Sequence, residues 1–431
     1  MAKRKIHVHF VGINGAGADA CAHLSKLYGF KVSGCDLDKN VRKFKKDGIN
    51  VFIGHDPKHV SNVDLVAISP AVEKFSPDNA ELEAAKKAGI PIFTWQEFTG
   101  KYLQKGKLVI AIAGTHGKST TTAMIGHVLE DNGFDPVVLV GATDKKWGAN
   151  FRFGQGKYFV VEADEYNDNF SSYESDIIAI TNIDFDHPDF FADQKAYFES
   201  FKQFIFKSKG QKLLIAPANE IGINKLIDEL KNWQGEGVFF EKLYNFKLKI
   251  SGSHNIINAT LAAKIGESLQ ISMKKIIVSL ENFDGLKRRM DKLGEIGQVT
   301  YFSDFAHHPK ELEVTINAAR ENFKGQTVWF VFQPHTYSRT NYFFDQFVKV
   351  LNESNISHII VCDVFGSREQ IDKNIDVAQM VKKINNVDAV YIPKLETVSK
   401  FLKKNTKKGD IVFLVGAGDV EKVYLNLKNI S

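Results

Sequence analysis

The stretch "VIAIAGTHGKSTTTAMIGHVLEDNG", beginning at Val109, constrains the fold more than any other part of the chain. An apolar run stops at a glycine-bracketed loop, after which Met124, Ile125, Val128 and Leu129 recur at helical spacing until Gly133 ends the pattern. A strand that feeds straight into a helix is the repeating unit of a parallel sheet, since the helix carries the chain back across the sheet face. The same alternation recurs elsewhere. The runs "IHVHFVG", "DLVAISP", "LVIAIAG", "YFVVEAD", "DIIAITN", "VTYFSDF", "TVWFVF", "HIIVCDV" and "DIVFLVGAG" read as strands, and "DNAELEAAKKAG" and "KELEVTINAARENF" as helices. The expected class is α/β. At 431 residues the chain is long enough for about three domains, which excludes a single small binding module. The Gly/Lys-rich stretches "TGKYLQKGK" and "MDKLGEIGQ" read as links, placing divisions near 104 and 292.

Composition narrows the partners. Lys and Arg number 56 against 51 Asp and Glu, and no basic run is interleaved with aromatics in the way that tracks nucleic acid. Cys21, Cys35 and Cys362 are widely separated and lack CxxC spacing, so neither a disulfide framework nor a zinc knuckle is expected, in keeping with a reducing cytoplasm. The apolar run after "MAKRK" is broken by His7, His9 and Asn14, so the sequence predicts neither a signal peptide nor a membrane span.

The loop "GTHGKST" comprises Gly114, Thr115, His116, Gly117, Lys118, Ser119 and Thr120. Backbone N–H groups at the helix start, with the positive end of its dipole, form an anion site. Lys118 reaches toward β- and γ-phosphates, and the Ser119 hydroxyl suits magnesium. The full GxxxxGK[ST] pattern is not met, because Ile112 stands at its first glycine, and an ordinary strand-to-helix turn is the alternative. Two other strands end in acids: Glu162, Asp164 and Glu165 after one, and Asp184, Asp186, His187 and Asp189 after the other. Ligands gather at the carboxyl ends of parallel strands, so Glu162 and His187 are candidates to hold Mg2+, a solvated acidic loop being the alternative for each cluster. Near the start, Gly12, Gly15 and Gly17 follow the opening strand, and Asp36 ends the next. Asn14 occupies the middle glycine of GxGxxG; NAD, another diphosphate or a merely tight turn each fit.

The motifs "AGTHGKSTTTAM", "EADE", "TNIDFDHPD", "SGSHNIINATLAA", "FDGLKRRM", "DFAHHPKELEVTI", "FQPHTYSRT" and "LVGAGD" stand in the order found in the Mur ligases, and the chain resembles that family over nearly its whole length. The resemblance implies three domains: a Rossmann-like domain for the uridine nucleotide (1–103), a central P-loop-type ATP-binding domain with a parallel or mixed sheet (104–292), and a Rossmann-like C-terminal domain that closes over the site (293–431). It implies a cytoplasmic enzyme of peptidoglycan-precursor synthesis, monomeric or weakly dimeric, with ATP and Mg2+ as cofactors and no nucleic-acid or membrane partner. L-alanine would be joined to the lactyl carboxylate of UDP-N-acetylmuramate; the alternative is the family's ligase that recycles a whole tripeptide onto the same carboxylate, in which "FAHHP" is also seen.

Carried onto matching positions, the resemblance assigns Gly12, Gly15, Gly17, Asp36 and Ser69 to the uridine nucleotide, and the 114–120 loop to ATP. Lys118 meets phosphate, and Ser119, Glu162 and His187 order magnesium. Asn255 and Asn258 lie near adenine, although "GSHN" would also serve as a helix cap. Arg288 or Arg289 approaches the γ-phosphate, and Asp304 meets the ATP ribose; Ser303 precedes it where the family has a second aspartate. His307, His308, His335 and Arg339 surround the amino acid, with His308 or a neighbour taking the amine's proton and the Arg339 fork clamping the α-carboxylate. Two other classes remain on the sequence alone: a P-loop motor or transporter ATPase, which leaves the first and third α/β sets without work, and an NAD-dependent oxidoreductase, which does not explain "GTHGKST".

Overall fold

The computed structural model describes residues 4–209, 212–367, 369–372 and 374–430, so the first three residues of "MAKRK" lie outside it. Three sheets carry the chain. In the first, Asn50–Ile53, Lys31–Asp36, His7–Val11, Leu65–Ile68 and Ile92–Thr94 run side by side in that order, all parallel. The second has seven strands in the order Glu236–Phe240, Leu213–Pro217, Ile177–Ile180, Leu108–Ala113, Tyr158–Glu162, Val137–Leu139 and Phe151–Arg152, with only the last antiparallel. The third has six, ordered Asp291–Ile296, Val299–Asp304, Ile411–Val415, Val328–Phe332, His358–Val361 and Asp388–Tyr391. Among the described residues no helix is long and apolar enough to cross a membrane.

Strand sequences are continuous rather than alternating because both sheet faces are covered. Ile110, Ala111, Ile112 and Ala113 are fully buried, and in the third sheet Phe330, Phe332 and Phe413 pack into one face while Val331, Val412 and Leu414 pack into the other. Helix Lys118–Asp131 is buried almost all round: its hydroxyl run Ser119 to Thr122 is inside, and His127 meets the fully buried Asp144 at 2.9 Å. That explains why its pattern is only weakly amphipathic.

Two sequence readings change. "MDKLGEIGQ" is not a link: Asp291–Ile296 is an edge strand, antiparallel to Val299–Asp304, so the third sheet is mixed and begins before 292. Its turn residues Gly297 and Gln298 both have positive φ, 57° and 64°, the hairpin geometry usually signalled by Asn-Gly. "TGKYLQKGK" opens with a wide helical turn, Thr99–Leu103, continuing Trp95–Phe98.

The chain divides into two compact units, Met1–Ile183 with Phe198–Lys242 and Thr260–Leu280, and Asp184–Tyr197 with Leu243–Ala259 and Glu281–Ser431.

Candidate active site

In the first unit the 114–120 loop is built around one buried cation. Lys118 Nζ donates to Gly114 O at 2.6 Å, to Thr115 O at 3.1 Å and to Glu165 Oε2 at 2.8 Å. Burial alone would depress its pKa, but Glu165, Asp164 and Glu162 raise it, so the ammonium stays charged. Gly114 sits at φ 132° with its Cβ position 2.0 Å from Thr181 Oγ1, and Gly117 caps the helix at φ 81°; neither place accepts a side chain. Asn182 locks the loop from the neighbouring strand end, accepting from His116 N at 3.0 Å and donating to His116 O at 2.9 Å. The N–H groups of Lys118, Ser119 and Thr120 open the helix before any intrahelical partner exists. Ser119 Oγ donates to Glu162 Oε1 at 3.0 Å, and Gly141 N donates to Glu162 Oε2 at 2.5 Å. A hydroxyl and a carboxylate oxygen side by side are donors of the type magnesium takes.

The first glycine turn has a division of labour that its spacing did not reveal. Gly12 is at φ 76°, and its N–H, with that of Ile13, bonds Cys35 O. Gly15 caps helix Ala16–Leu27, and a Cβ there would meet nothing closer than 3.5 Å. Gly17 faces Trp95, with its Cβ position 2.3 Å from the indole, so packing alone requires a glycine there. Asp36 accepts from Asn14 N at 3.0 Å and from Asp38 N at 3.1 Å, which holds the turn in shape. Ser69 caps Pro70–Phe75 without a side-chain bond, and its Oγ lies 3.7 Å from the Gly15 Cβ position.

The second unit gathers the histidines. Arg339, buried in helix Tyr337–Tyr342, donates from Nε to Asp186 Oδ1 at 3.0 Å and from Nη2 to Asp186 Oδ2 at 3.2 Å. Its fork, expected to await a substrate carboxylate, is thus closed on a protein one. Burial would raise the Asp186 pKa, but His187 and Arg339 hold it well below the carboxylate range. Nη1 of Arg339 lies 3.5 Å from His335 Nδ1, and Nη2 lies 3.5 Å from His187 Nδ1. His335 and Arg339 do meet, though His335 precedes the helix rather than sharing its turn. Burial pushes His335 down to about 3 and His307 to about 4, so both imidazoles are neutral.

His308 is held at both ring nitrogens. It is the N-cap of Pro309–Asn322, its Nδ1 accepting from Lys310 N at 3.2 Å in a capping box with Glu311. Since Nδ1 accepts, Nε2 carries the proton and donates to Phe185 O at 3.2 Å. That tautomer leaves no lone pair on the His308 ring, whereas His307 Nδ1 donates to Phe305 O at 3.0 Å, which leaves its Nε2 as an acceptor. Arg288 is committed as well: Nη2 donates to Gly416 O at 2.6 Å and Gly418 O at 3.0 Å, which ties its strained backbone, φ 57°, to the loop after Ile411–Val415. Arg289, partly exposed and 5.3 Å from the Phe305 ring centroid, is the available guanidinium. Asp304 is buried, accepting from Met290 N, Ala306 N and Thr315 Oγ1, which ties it to the "FAHH" turn. Asn255 donates to Ser251 O at 2.6 Å and accepts from Asn258 at 3.2 Å, which places both amides on one buried helix face.

Glu165, Asn182 and Asp186, the partners of Lys118, His116 and Arg339, had no role in the sequence reading. Each sits inside a quoted motif, but nothing in a strand-end acid reveals which cation it will meet.

A sheet that is parallel but for one edge strand, with its central strand ending in a lysine-bearing glycine loop and an acid on the next strand, has the architecture of a nucleotide-binding α/β protein. Family models match in chain order: "Mur ligase family, catalytic domain" over residues 7–107, "Mur ligase middle domain" over 112–242 and "Mur ligase, glutamate ligase domain" over 288–418. A UDP-N-acetylmuramate--L-alanine ligase of Caldicellulosiruptor saccharolyticus is 34% identical, covering 96% of each chain. The solved UDP-N-acetylmuramate-alanine ligase of Thermotoga maritima superposes with a TM-score of 0.80 at 25% identity, covering 99% of each chain. The murein peptide ligase of Psychrobacter arcticus shares the fold at 20% identity, TM-score 0.71, covering 98% of each. The chain belongs to the Mur ligase family.

Proposed function

We propose that the protein joins L-alanine to the lactyl carboxylate of UDP-N-acetylmuramate at the expense of ATP, in peptidoglycan-precursor synthesis. The observation that carries the phosphoryl chemistry is the Lys118 cradle, a buried ammonium held at the mouth of a helix N-terminus; similarity at full length to L-alanine ligases supports the choice of acceptor.

A carboxylate does not acylate an amine at neutral pH, because the anion is a poor electrophile. A carboxylate oxygen attacks the γ-phosphorus of ATP, ADP leaves, and an acyl phosphate remains. The amine then attacks the acyl carbon, phosphate departs, and the amine's proton passes to a base. Lys118 neutralises charge on the moving phosphoryl group, and Arg289 is the second cation in place of Arg288. Ser119 and Glu162 would hold magnesium, His187 would be a further ligand, and the ion would supply positive charge to screen the phosphates. The Gly12–Gly15 turn, with Ser69, takes the uridine diphosphate, and Asn255 and Asn258 the adenine. His307 Nε2 accepts the proton, while His335 and Nη1 of Arg339 orient the amino acid. The three domains divide near 104 and just before Asp291.

Phosphate release and product formation measured side by side with L-alanine and with the tripeptide test the acceptor. Faster turnover with L-alanine is expected, and faster ligation of the tripeptide overturns the reading.

A further inference from the structure

The first sheet carries a cluster that ligation does not use. His9 on strand His7–Val11, Cys35 on Lys31–Asp36, His59 in the turn Pro57–Val60 and Glu81 at the start of helix Ala80–Lys87 each bring a donor atom to one place, all four within 4.8 Å of one another. His9 and Glu81 are wholly buried, and Cys35 is buried with them. Cys35 Sγ donates to Glu81 Oε2 at 2.8 Å, His59 Nδ1 bonds Glu81 Oε1, and His55 Nδ1 stands 3.2 Å from Glu81 Oε2 at the rim.

The hydrogen bonds around His9 fix where its proton is. His7 Nδ1 faces Asn62 O at 2.9 Å, and a carbonyl only accepts, so His7 Nδ1 carries the hydrogen and its Nε2 is an acceptor. Ser33 Oγ, 2.9 Å from that Nε2, therefore donates to it and must accept from His9 Nδ1 at 2.8 Å. His9 Nε2 is left as a bare lone pair with no hydrogen-bond partner, aimed at Glu81 Oε1 across 3.8 Å. Two acceptors facing each other in a buried space repel unless a cation lies between them.

We propose that His9 Nε2, Cys35 Sγ, His59 Nδ1 and the Glu81 carboxylate bind a divalent transition-metal ion of the zinc class. Tetrahedral zinc with bonds of about 2.0–2.3 Å requires donors about 3.3–3.7 Å apart, so donor pairs that now stand up to 4.8 Å apart close by about 1 Å or a little more, a movement shared between the two side chains. The donor set excludes magnesium, which takes oxygen and avoids thiolate. Binding replaces the Cys35 thiol proton by the metal and releases that proton to solvent. Four protein donors leave no open position, so the ion is structural: it staples two strands, a turn and a helix. Ser33 orients the His9 ring, as outer partners of metal-bound histidines do. Cys35 O also receives the Gly12 and Ile13 N–H groups, so the staple underlies the glycine turn.

Cobalt tests this without relying on activity. Full-length protein stripped with chelator and titrated with Co2+ in excess Mg2+ is expected to bind one ion per chain, with intense tetrahedral visible bands and a thiolate-to-cobalt charge-transfer band, all displaced by Zn2+. Cys35→Ser is expected to abolish the charge-transfer band, and Glu81→Gln to weaken zinc binding at least tenfold. The chain has three cysteines, so a Cys21→Ser/Cys362→Ser double variant isolates Cys35 and keeps the test decisive even where Cys35→Ser does not fold. No thiolate band in the wild-type protein, its survival in folded Cys35→Ser, or its loss in the Cys21→Ser/Cys362→Ser variant overturns the proposal.

Discussion

Replacing Lys118 by methionine separates its structural role from its chemical one. The wild-type ammonium satisfies two backbone carbonyls and Glu165, whose side chain is 0% exposed against 12% for the lysine. Methionine fills similar volume but leaves a fully buried carboxylate without its cation. Breaking a buried pair in this way costs about 3–5 kcal/mol, which corresponds to a fall in melting temperature of roughly 5–15 °C. The loss of a preorganised charge at the phosphoryl group adds a separate penalty, a drop in turnover of at least about a hundredfold. Glu165→Gln in the same chain removes the charge that Lys118 balanced while keeping its shape. The double variant is therefore expected to regain most of the lost melting temperature and none of the lost turnover. Differential scanning fluorimetry on ligand-free protein reads the first quantity, and phosphate release with UDP-N-acetylmuramate, ATP and L-alanine reads the second. Lys118→Met with an unchanged melting temperature would refute the buried-pair argument, and turnover within tenfold of wild type would refute the charge argument.

The two glycines of the first turn should respond differently. Gly15→Val places methyls over an open helix N-terminus and should raise the Michaelis constant for the uridine nucleotide several-fold with ATP unaffected, whereas Gly17→Ala drives a Cβ into Trp95 and should lower the melting temperature first; the opposite pattern in nucleotide titrations and melting curves would reverse the assignment. The adjacent histidines offer a second contrast. His308→Asn, which keeps a capping acceptor, should retain turnover within about tenfold, while His307→Gln should lose roughly a hundredfold; steady-state rates in the reverse order would return the base role to His308.

How much of this was legible depended on whether the determining partner was near in sequence. The strands from "IHVHFVG" to "DIVFLVGAG" were readable because burial on both faces leaves an uninterrupted apolar run. The hairpin at Asp291–Ile296 was not, since its edge strand carries Lys292 and Glu295 facing solvent and its turn uses Gly-Gln. At the site, "GTHGKST" declares its loop through glycines that only positive φ or close approach explains, as Gly114 and Gly117 bear out. "FAHHP" shows two histidines but not that one is an N-cap, although the Pro309 and Glu311 that follow it are the marks of a helix start. Residues 9, 35, 59 and 81 share no local spacing at all; only the parallel strand register, the turn Pro57–Val60 and one helix start bring them together.

The pairing of Arg339 with Asp186 is the point where sequence reasoning about the acceptor needs the structure. Both side chains are buried, and a buried ion pair adds little net stability, because each partner loses its hydration. A role in positioning accounts for it better. Charge-assisted bonds from Nε and Nη2 are worth about 1.5–3 kcal/mol each, so an amino acid's carboxylate that displaced Asp186 would recover about what it cost and leave a buried aspartate unpaired. Exchange is therefore unfavourable. The donor still aimed elsewhere is Nη1, beside His335 Nδ1, and a single N–H held by a locked guanidinium fixes direction better than a mobile fork does. Asp186 thus orients Arg339, and under the proposed function the geometry this pair sets would aim the acceptor amine.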